Sequence, residues 1–211
     1  MAALSPRTHA AAVRELCARD ARLAAIVDHC GAPTLWRRPP GFATLVYVVL
    51  EQQVSLASAK ATFDRLKEQL PEFSPDAYLG LSPEDLRASG VSRQKTRYTR
   101  LIAEAIRDGS LPIKHLARYP DDRVRALLTA ITGVGDWTAD VYMMSALRRP
   151  DLWPVGDLAL VKALREVQAL KEKPSRDALL DLGEPYRPYR SVAAQLYWQH
   201  YLNSSRASAA P

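Results

Sequence analysis

The chain has 211 residues, 47% hydrophobic and 25% charged, a globular balance that excludes disordered and fibrous classes and suffices for a buried core. Twenty-nine Lys and Arg against 23 Asp and Glu give a formal charge of +6 and a pI near 9.4, which attracts polyanions wherever the excess gathers on one face. Cys17 and Cys30 stand apart without a CxxC or a Cys cluster, and only four His are present, which argues against a zinc or iron–sulfur site and leaves two reduced, hydrophobic thiols as the simplest reading.

Taken in order, apolar residues recur at helical spacing almost throughout, and no strand alternation persists, so an all-α fold is expected. N-terminal helices run up to Trp36–Gly41, whose two arginines and two prolines resemble a crossover between lobes. The apolar run Phe42–Leu50 that follows is too short to span a bilayer, and no charged segment followed by an apolar one opens the chain. A soluble, cytoplasmic, nucleoid-associated protein without membrane contact is expected.

Ser82-Pro83-Glu84-Asp85 places a capping hydroxyl, an N1 proline and two acids at a helix start, and Ser175 precedes another. Val124, Leu127, Leu128 and Ile131 form one apolar stripe; Leu160, Val161, Leu164 and Val167 form another. Arg148–Gly156 resembles a second crossover. Two crossovers imply one lobe over 42–147 and a second made of 1–41 plus 150–211, with the cleft between them as the default binding site. The small, polar stretch Asn203–Pro211 is expected to be a frayed end.

The most informative stretch is Thr129-Ala130-Ile131-Thr132-Gly133-Val134-Gly135-Asp136-Trp137-Thr138. An amphipathic helix enters Gly-Val-Gly and a second helix begins at once. The two glycines permit positive φ and a close approach of the main chain to a ligand. Val134 can anchor the turn, and Asp136 is a candidate N-cap. The amides of such a turn suit a phosphate oxygen, although an isolated GxG is more often a plain αα-turn. Farther on, Asp157 precedes the apolar helix beginning Leu158-Ala159-Leu160, a position where aspartate is a common N-cap.

The longer pattern resembles the helix-hairpin-helix DNA glycosylases, and within them the bacterial 3-methyladenine DNA glycosylase II type without its preceding β-rich domain. Three segments carry the resemblance. The first is the hairpin, with Thr132 in place of the usual proline. The second is Trp153-Pro154-Val155-Gly156-Asp157. The third is Leu50-Glu51-Gln52-Gln53-Val54-Ser55, similar to the family's Gly-Gln-Gln-hydrophobic-Ser turn. Together with Arg187–Trp198, similar to the family's C-terminal motif, they span about Phe42 to Trp198.

The resemblance implies a two-lobe helix-hairpin-helix glycosylase fold with an interlobe cleft and DNA contacts at Gln52, Gln53, Ser55, Gly133, Val134, Gly135 and Thr138, with Gln53 as the wedge. It implies Asp157 as the catalytic carboxylate, an anion suited to the oxocarbenium character that develops on deoxyribose. It also implies a base pocket with Trp137 and Trp198, to which Tyr142, Tyr189 and Glu51 are weaker additions. Trp137 and Trp198 are alternatively ordinary core residues, and Glu51 a plain exposed one. The hairpin carbonyls of Thr129, Ile131 and Val134 would hold a Na+ or K+ ion. No iron–sulfur cluster or other cofactor is expected.

Relatives that also cut the DNA backbone use a lysine where this chain has Trp137, so a monofunctional hydrolase is expected. Lys162 does not occupy that position and reads as a solvated helix residue. The implied substrates are alkylated bases in duplex DNA, 3-methyladenine and 7-methylguanine foremost, with 1-methyladenine, ethenoadenine and 3-methylcytosine as a wider range. An electron-rich indole favours the cationic methylated purines among them over neutral bases. The protein would act as a monomer in base excision repair. Two alternatives stand: a noncatalytic DNA-binding hairpin module, and a glycosylase of the same fold for mismatched or oxidised bases.

Overall fold

The computed structural model describes residues 2–207. Among them the chain is helical and has no strand, as the periodicity implies. The α-helices are α1 (Pro6–Arg19), α2 (Ala21–Cys30), α3 (Phe42–Leu50), α4 (Leu56–Gln69), α5 (Pro75–Gly80), α6 (Pro83–Ala88) and α7 (Arg93–Arg107). They continue as α8 (Asp121–Thr129), α9 (Asp136–Ser145), α10 (Leu158–Val167), α11 (Arg176–Gly183) and α12 (Arg190–Ala207). Short 3-10 segments occupy Ile113–Arg118 and Glu184–Tyr186. Among the described residues no helix is long and apolar enough to cross a membrane.

Helix starts follow side-chain chemistry. Ser5 and Ser82 form reciprocal capping boxes with Thr8 and Asp85, and Ser55, Ser74, Ser92 and Ser175 each accept a backbone N–H of the first turn. Pro6, Pro75 and Pro83 occupy first-turn positions where no intrahelical donor is needed. Asp136 departs from expectation: the N-cap of α9 is Gly135, and Asp136 is the first helical residue, its carboxylate 3.9 Å from Arg125. The expected frayed end is also corrected in part. Helix α12 continues to Ala207, with the Asn203 amide donating to the Gln199 carbonyl at 2.8 Å, and Ser208–Pro211 lie outside the described residues.

The chain divides into two compact units, one of Arg38–Leu147 and the other of the residues up to Arg37 together with those from Arg148 onward. The continuous unit is built on α3, where Leu45, Val46, Val48 and Val49 are fully buried against α7, α4 and α9. Such all-round burial of β-branched residues outweighs their modest helix propensity, each contributing roughly 1.5–3 kcal/mol; a charged residue at Val46 would undo it. Beside α3, Phe42 and Phe73 sit 5.7 Å apart, and Phe42 meets Tyr78 edge-on at 5.4 Å.

The discontinuous unit is organised on α12, whose Val192, Ala193, Ala194, Leu196 and Tyr197 are fully buried against α10, α2 and α1. His9 of α1 shares a 2.8 Å hydrogen bond with Gln195. The indole of Trp153 lies so close to Gly183 that a Cβ there would come within 2.7 Å of the ring, and its N–H donates to the Leu179 carbonyl at 2.8 Å. Cys17 and Cys30 both carry free thiols.

Candidate functional site

In the continuous unit, α8 ends at Thr129, six residues turn, and α9 starts at Asp136. Gly133 adopts φ 93°, and the Tyr98 ring lies where a side chain would be, with Cγ 2.0 Å from an added Cβ. Only glycine satisfies both conditions. Gly135 needs no such freedom: its φ of −90° suits any residue, and nothing lies within 4 Å of a Cβ there. Val134 is buried and anchors the turn, its N–H donating to the Ile131 carbonyl at 3.0 Å. Across the hairpin, the guanidinium of Arg125 on α8 donates to the buried Asp140 carboxylate on α9 at 2.5 Å, tying the two helices together.

The turn between α3 and α4 is bound to this hairpin. The Gln52 side-chain amide donates to the Gly133 carbonyl and to the Thr138 hydroxyl, each at 2.9 Å. Gln52 and Thr138 were both expected to touch DNA; the structure instead buries Thr138 and gives both side chains to bracing the hairpin. Lys95 of α7 donates to the carbonyls of Leu50 at 2.7 Å and Gln52 at 2.8 Å, which satisfies acceptors left over at the end of α3. Burial lowers the Lys95 pKa. Gln53 follows at φ 55°, exposed at the tip, and Ser55 is the exposed cap of α4, accepting the Ser58 N–H.

Glu51 is neither an exposed helix residue nor an available pocket anion. Its carboxylate, with the side chain only 5% exposed, accepts two hydrogen bonds from Arg38 at 2.6 and 2.9 Å, and the guanidinium lies 4.5 Å over the Tyr47 ring. Tyr142 is likewise removed from the base pocket: the ring is 0% exposed, and its hydroxyl accepts the Gly41 N–H at 3.0 Å. Burial pushes that phenol up to about 12 despite the Gly41 contact. Trp137 sits half-buried at the second position of α9.

The discontinuous unit holds the expected carboxylate. Asp157 caps α10, its Oδ1 accepting the Leu160 N–H at 2.7 Å, and the same oxygen accepts the indole N–H of Trp198 at 2.8 Å. Trp198 is stacked on Trp36, with centroids 4.7 Å apart and planes 13° from parallel. Cap and indole thus fix the carboxylate from two sides while leaving it half-buried. With one face on Trp36 and its edge on Asp157, Trp198 retains 6% exposure, so it braces the carboxylate and offers no open wall to a base.

Trp36, which sequence reasoning passed over as part of a crossover, joins the candidate site through its stack on Trp198. Half-buried, it extends the aromatic surface that Trp198 brings to Asp157. Tyr189 is half-buried at the entrance to α12, where its carbonyl accepts the N–H groups of Val192 and Ala193. Lys162 is exposed and faces Glu166 and the Tyr201 ring. A cavity of about 430 Å³ in this unit, bordered by Arg22, Leu170, Ala178 and Tyr186, contains none of the expected site residues.

The chain is similar in sequence and in fold to known proteins. A DNA-3-methyladenine glycosylase of Schizosaccharomyces pombe is 30% identical over 164 residues, covering 75% of this chain and 71% of its own. The crystal structure of a Bacillus halodurans DNA-3-methyladenine glycosidase superposes with a TM-score of 0.75 at 30% identity, covering 92% of this chain and 91% of that one. A Schizosaccharomyces pombe 3-methyladenine DNA glycosylase in complex with abasic DNA gives 0.80 at 27% identity, covering 89% and 95%. Two Bacillus subtilis relatives, 27% and 28% identical, are longer, and the chain spans 62% and 57% of their lengths. Residues 46–188 match the model of the HhH-GPD superfamily of base excision DNA repair proteins, and that span takes in the braced hairpin, the Gln53 turn and the capped Asp157: this chain belongs to that superfamily.

Proposed function

We propose that the chain is a monofunctional DNA glycosylase that hydrolyses the N-glycosidic bond of alkylated bases in duplex DNA during base excision repair. The observation that carries this reading is the state of Asp157, a carboxylate whose one oxygen is held by a helix N-terminus and an indole N–H while the group stays half-buried. An anion so fixed needs little reorganisation when positive charge develops on the sugar. The C1′–N bond breaks, its electron pair leaves with the base, and water adds to C1′ and gives up a proton. A cationic methylated base departs without a general acid, which suits a site built on one carboxylate.

Trp36, half-buried and backed by Trp198, supports a preference for cationic rings, since an indole face attracts them by roughly 0.5–2 kcal/mol. Substrates named for the relatives, 3-methyladenine foremost, carry over here as part of this proposal, with 7-methylguanine beside it and 1-methyladenine, ethenoadenine and 3-methylcytosine as a wider range. Trp137, where lyases of the fold use lysine, supports base release without strand cleavage, because an indole forms no imine. The hairpin amides would hold a DNA phosphate with Gln53 in the opened stack. A single copy of the chain would serve one lesion.

The carbonyls of Thr129, Ile131 and Val134 are neutral, hard donors, which fits Na+ or K+ and not a transition metal. Such an ion would neutralise phosphate charge at the turn. Incubation of the protein with methylated duplex DNA, followed by chromatography of the released bases, tests the proposal. Free 3-methyladenine from the wild type and none from Asp157→Asn, a substitution that retains a good cap, is the expected result. Equal release by both proteins overturns the assignment of Asp157, and no release by the wild type overturns the enzyme.

A further inference from the structure

The N-terminal half of α7 joins the two parts of the continuous unit that the proposed function assigns to DNA. Lys95 holds the Gln53 turn through the Gln52 carbonyl at 2.8 Å, and Tyr98 is packed against Gly133 of the hairpin, its hydroxyl accepting the Gln94 amide at 2.7 Å. On a helix, residues four apart share a ridge and successive residues step about 100° around the axis. Gln94 and Tyr98 therefore form the ridge at the hairpin, and Lys95 lies to one side of it, toward the Gln53 turn. Arg93 and Arg97 form the ridge on the opposite side, beyond the hairpin.

Both arginines are exposed, and among the described residues neither is part of an ion pair. Elsewhere in this unit Arg38, Lys60, Arg87 and Arg125 each face a carboxylate, and Arg65 and Arg100 donate to backbone carbonyls. The exposed Lys67, Arg107 and Lys114 stand on α4, at the C-terminal end of α7 and on the first 3-10 segment, not on the first turns of α7 beside the hairpin. From Ser92 to Ala103, α7 carries no acidic residue, so nothing on its own surface neutralises the pair. Two guanidiniums one turn apart, roughly 5–6 Å at their Cβ atoms, can engage consecutive phosphates of one strand bidentately.

We propose that Arg93 and Arg97 form a second phosphate-binding surface, which receives the DNA strand where it leaves the hairpin on the side away from Gln53. This inference rests on the proposed function, since it takes duplex DNA as the partner. The pair lengthens the grip without reading sequence, as contacts to backbone do. Each guanidinium that neutralises a phosphate releases a counterion, so the signature is the salt dependence of binding.

The experiment measures the affinity of the whole chain for an undamaged duplex over a range of salt concentrations. The wild type is compared with an Arg93→Ala/Arg97→Ala variant and with a Lys67→Ala/Lys114→Ala variant, which loses the same charge from exposed positions on α4 and the first 3-10 segment. The plot of log affinity against log salt is expected to become shallower by about 1.8 for the arginine pair and to keep the wild-type slope for the lysine pair. An unchanged slope in the arginine variant, or an equal change in both, overturns the proposal. Base release by the unaltered protein is followed in parallel: its presence with an unchanged arginine slope sinks only this surface, and its absence sinks the enzyme assignment itself.

Discussion

Replacing Trp198 with Phe isolates one hydrogen bond at the candidate catalytic group. Phenylalanine keeps an aromatic face for Trp36, 4.7 Å away, and removes the N–H that reaches Asp157 Oδ1 at 2.8 Å. A hydrogen bond to a charged group contributes about 1.5–3 kcal/mol, and because Asp157 is half-buried, water replaces part of it, so about 1.5 kcal/mol is expected. If the carboxylate must be held in one orientation as charge develops, that loss appears as a roughly tenfold slower chemical step. The assay is single-turnover release of 3-methyladenine with enzyme in excess, where DNA affinity does not enter. Stability should drop by about 1 kcal/mol for the lost ring volume, or roughly 2–4 °C in Tm. A release rate within twofold of wild type alongside that Tm decrease would show that Trp198 only packs, and the bracing role would be refuted.

Two further outcomes follow from the geometry of the continuous unit. Gly133→Ala places a methyl group inside the Tyr98 ring at a left-handed φ of 93° and should cost about 3 kcal/mol, whereas Gly135→Ala, at φ −90° with open space, should stay within about 1 kcal/mol; urea unfolding of both variants measures the contrast, and equal costs would refute it. Burial raises the phenols of Tyr78 and Tyr142 to about 12, against the lowering contacts from Thr99 and Gly41. Their contribution is complete below pH 10 and disappears as pH rises to 12, because the unfolded chain releases those protons first. The expected loss is about 1.4 kcal/mol per pH unit for each. Tyr142→Phe should make the decline between pH 10 and 12 shallower, and an unaltered slope in unfolding curves would contradict the burial account.

Much of this molecule was legible because its signals are local. Ser82-Pro83 and Ser175 mark helix starts through bonds that close within three residues, and the Gly133 turn and the Asp157 cap are equally short-range. What escaped depends on partners distant in sequence. Nothing near Trp36 announces Trp198, and the Glu51 carboxylate is hidden by Arg38, a residue that reads as part of a proline-rich crossover. Gln52 and Thr138 match a DNA-contact pattern in sequence, yet they meet across 86 positions and satisfy each other. Lys95 gave no signal either, since a lysine that holds two carbonyls looks like any other in a basic stretch.

The division of the chain bears on its birth as much as on its finished form. Helices α1 and α2 leave the ribosome before the continuous unit, yet α12, which shelters their apolar faces, is translated only after all of residues 38–147. At about 5–20 residues per second this delay is on the order of ten seconds. During that interval Leu16, Leu23 and Ile26 have no lasting cover, while the intervening segment can fold uninterrupted as it emerges. Nascent chains stalled near Leu147 should accordingly present a protected middle and a protease-sensitive beginning.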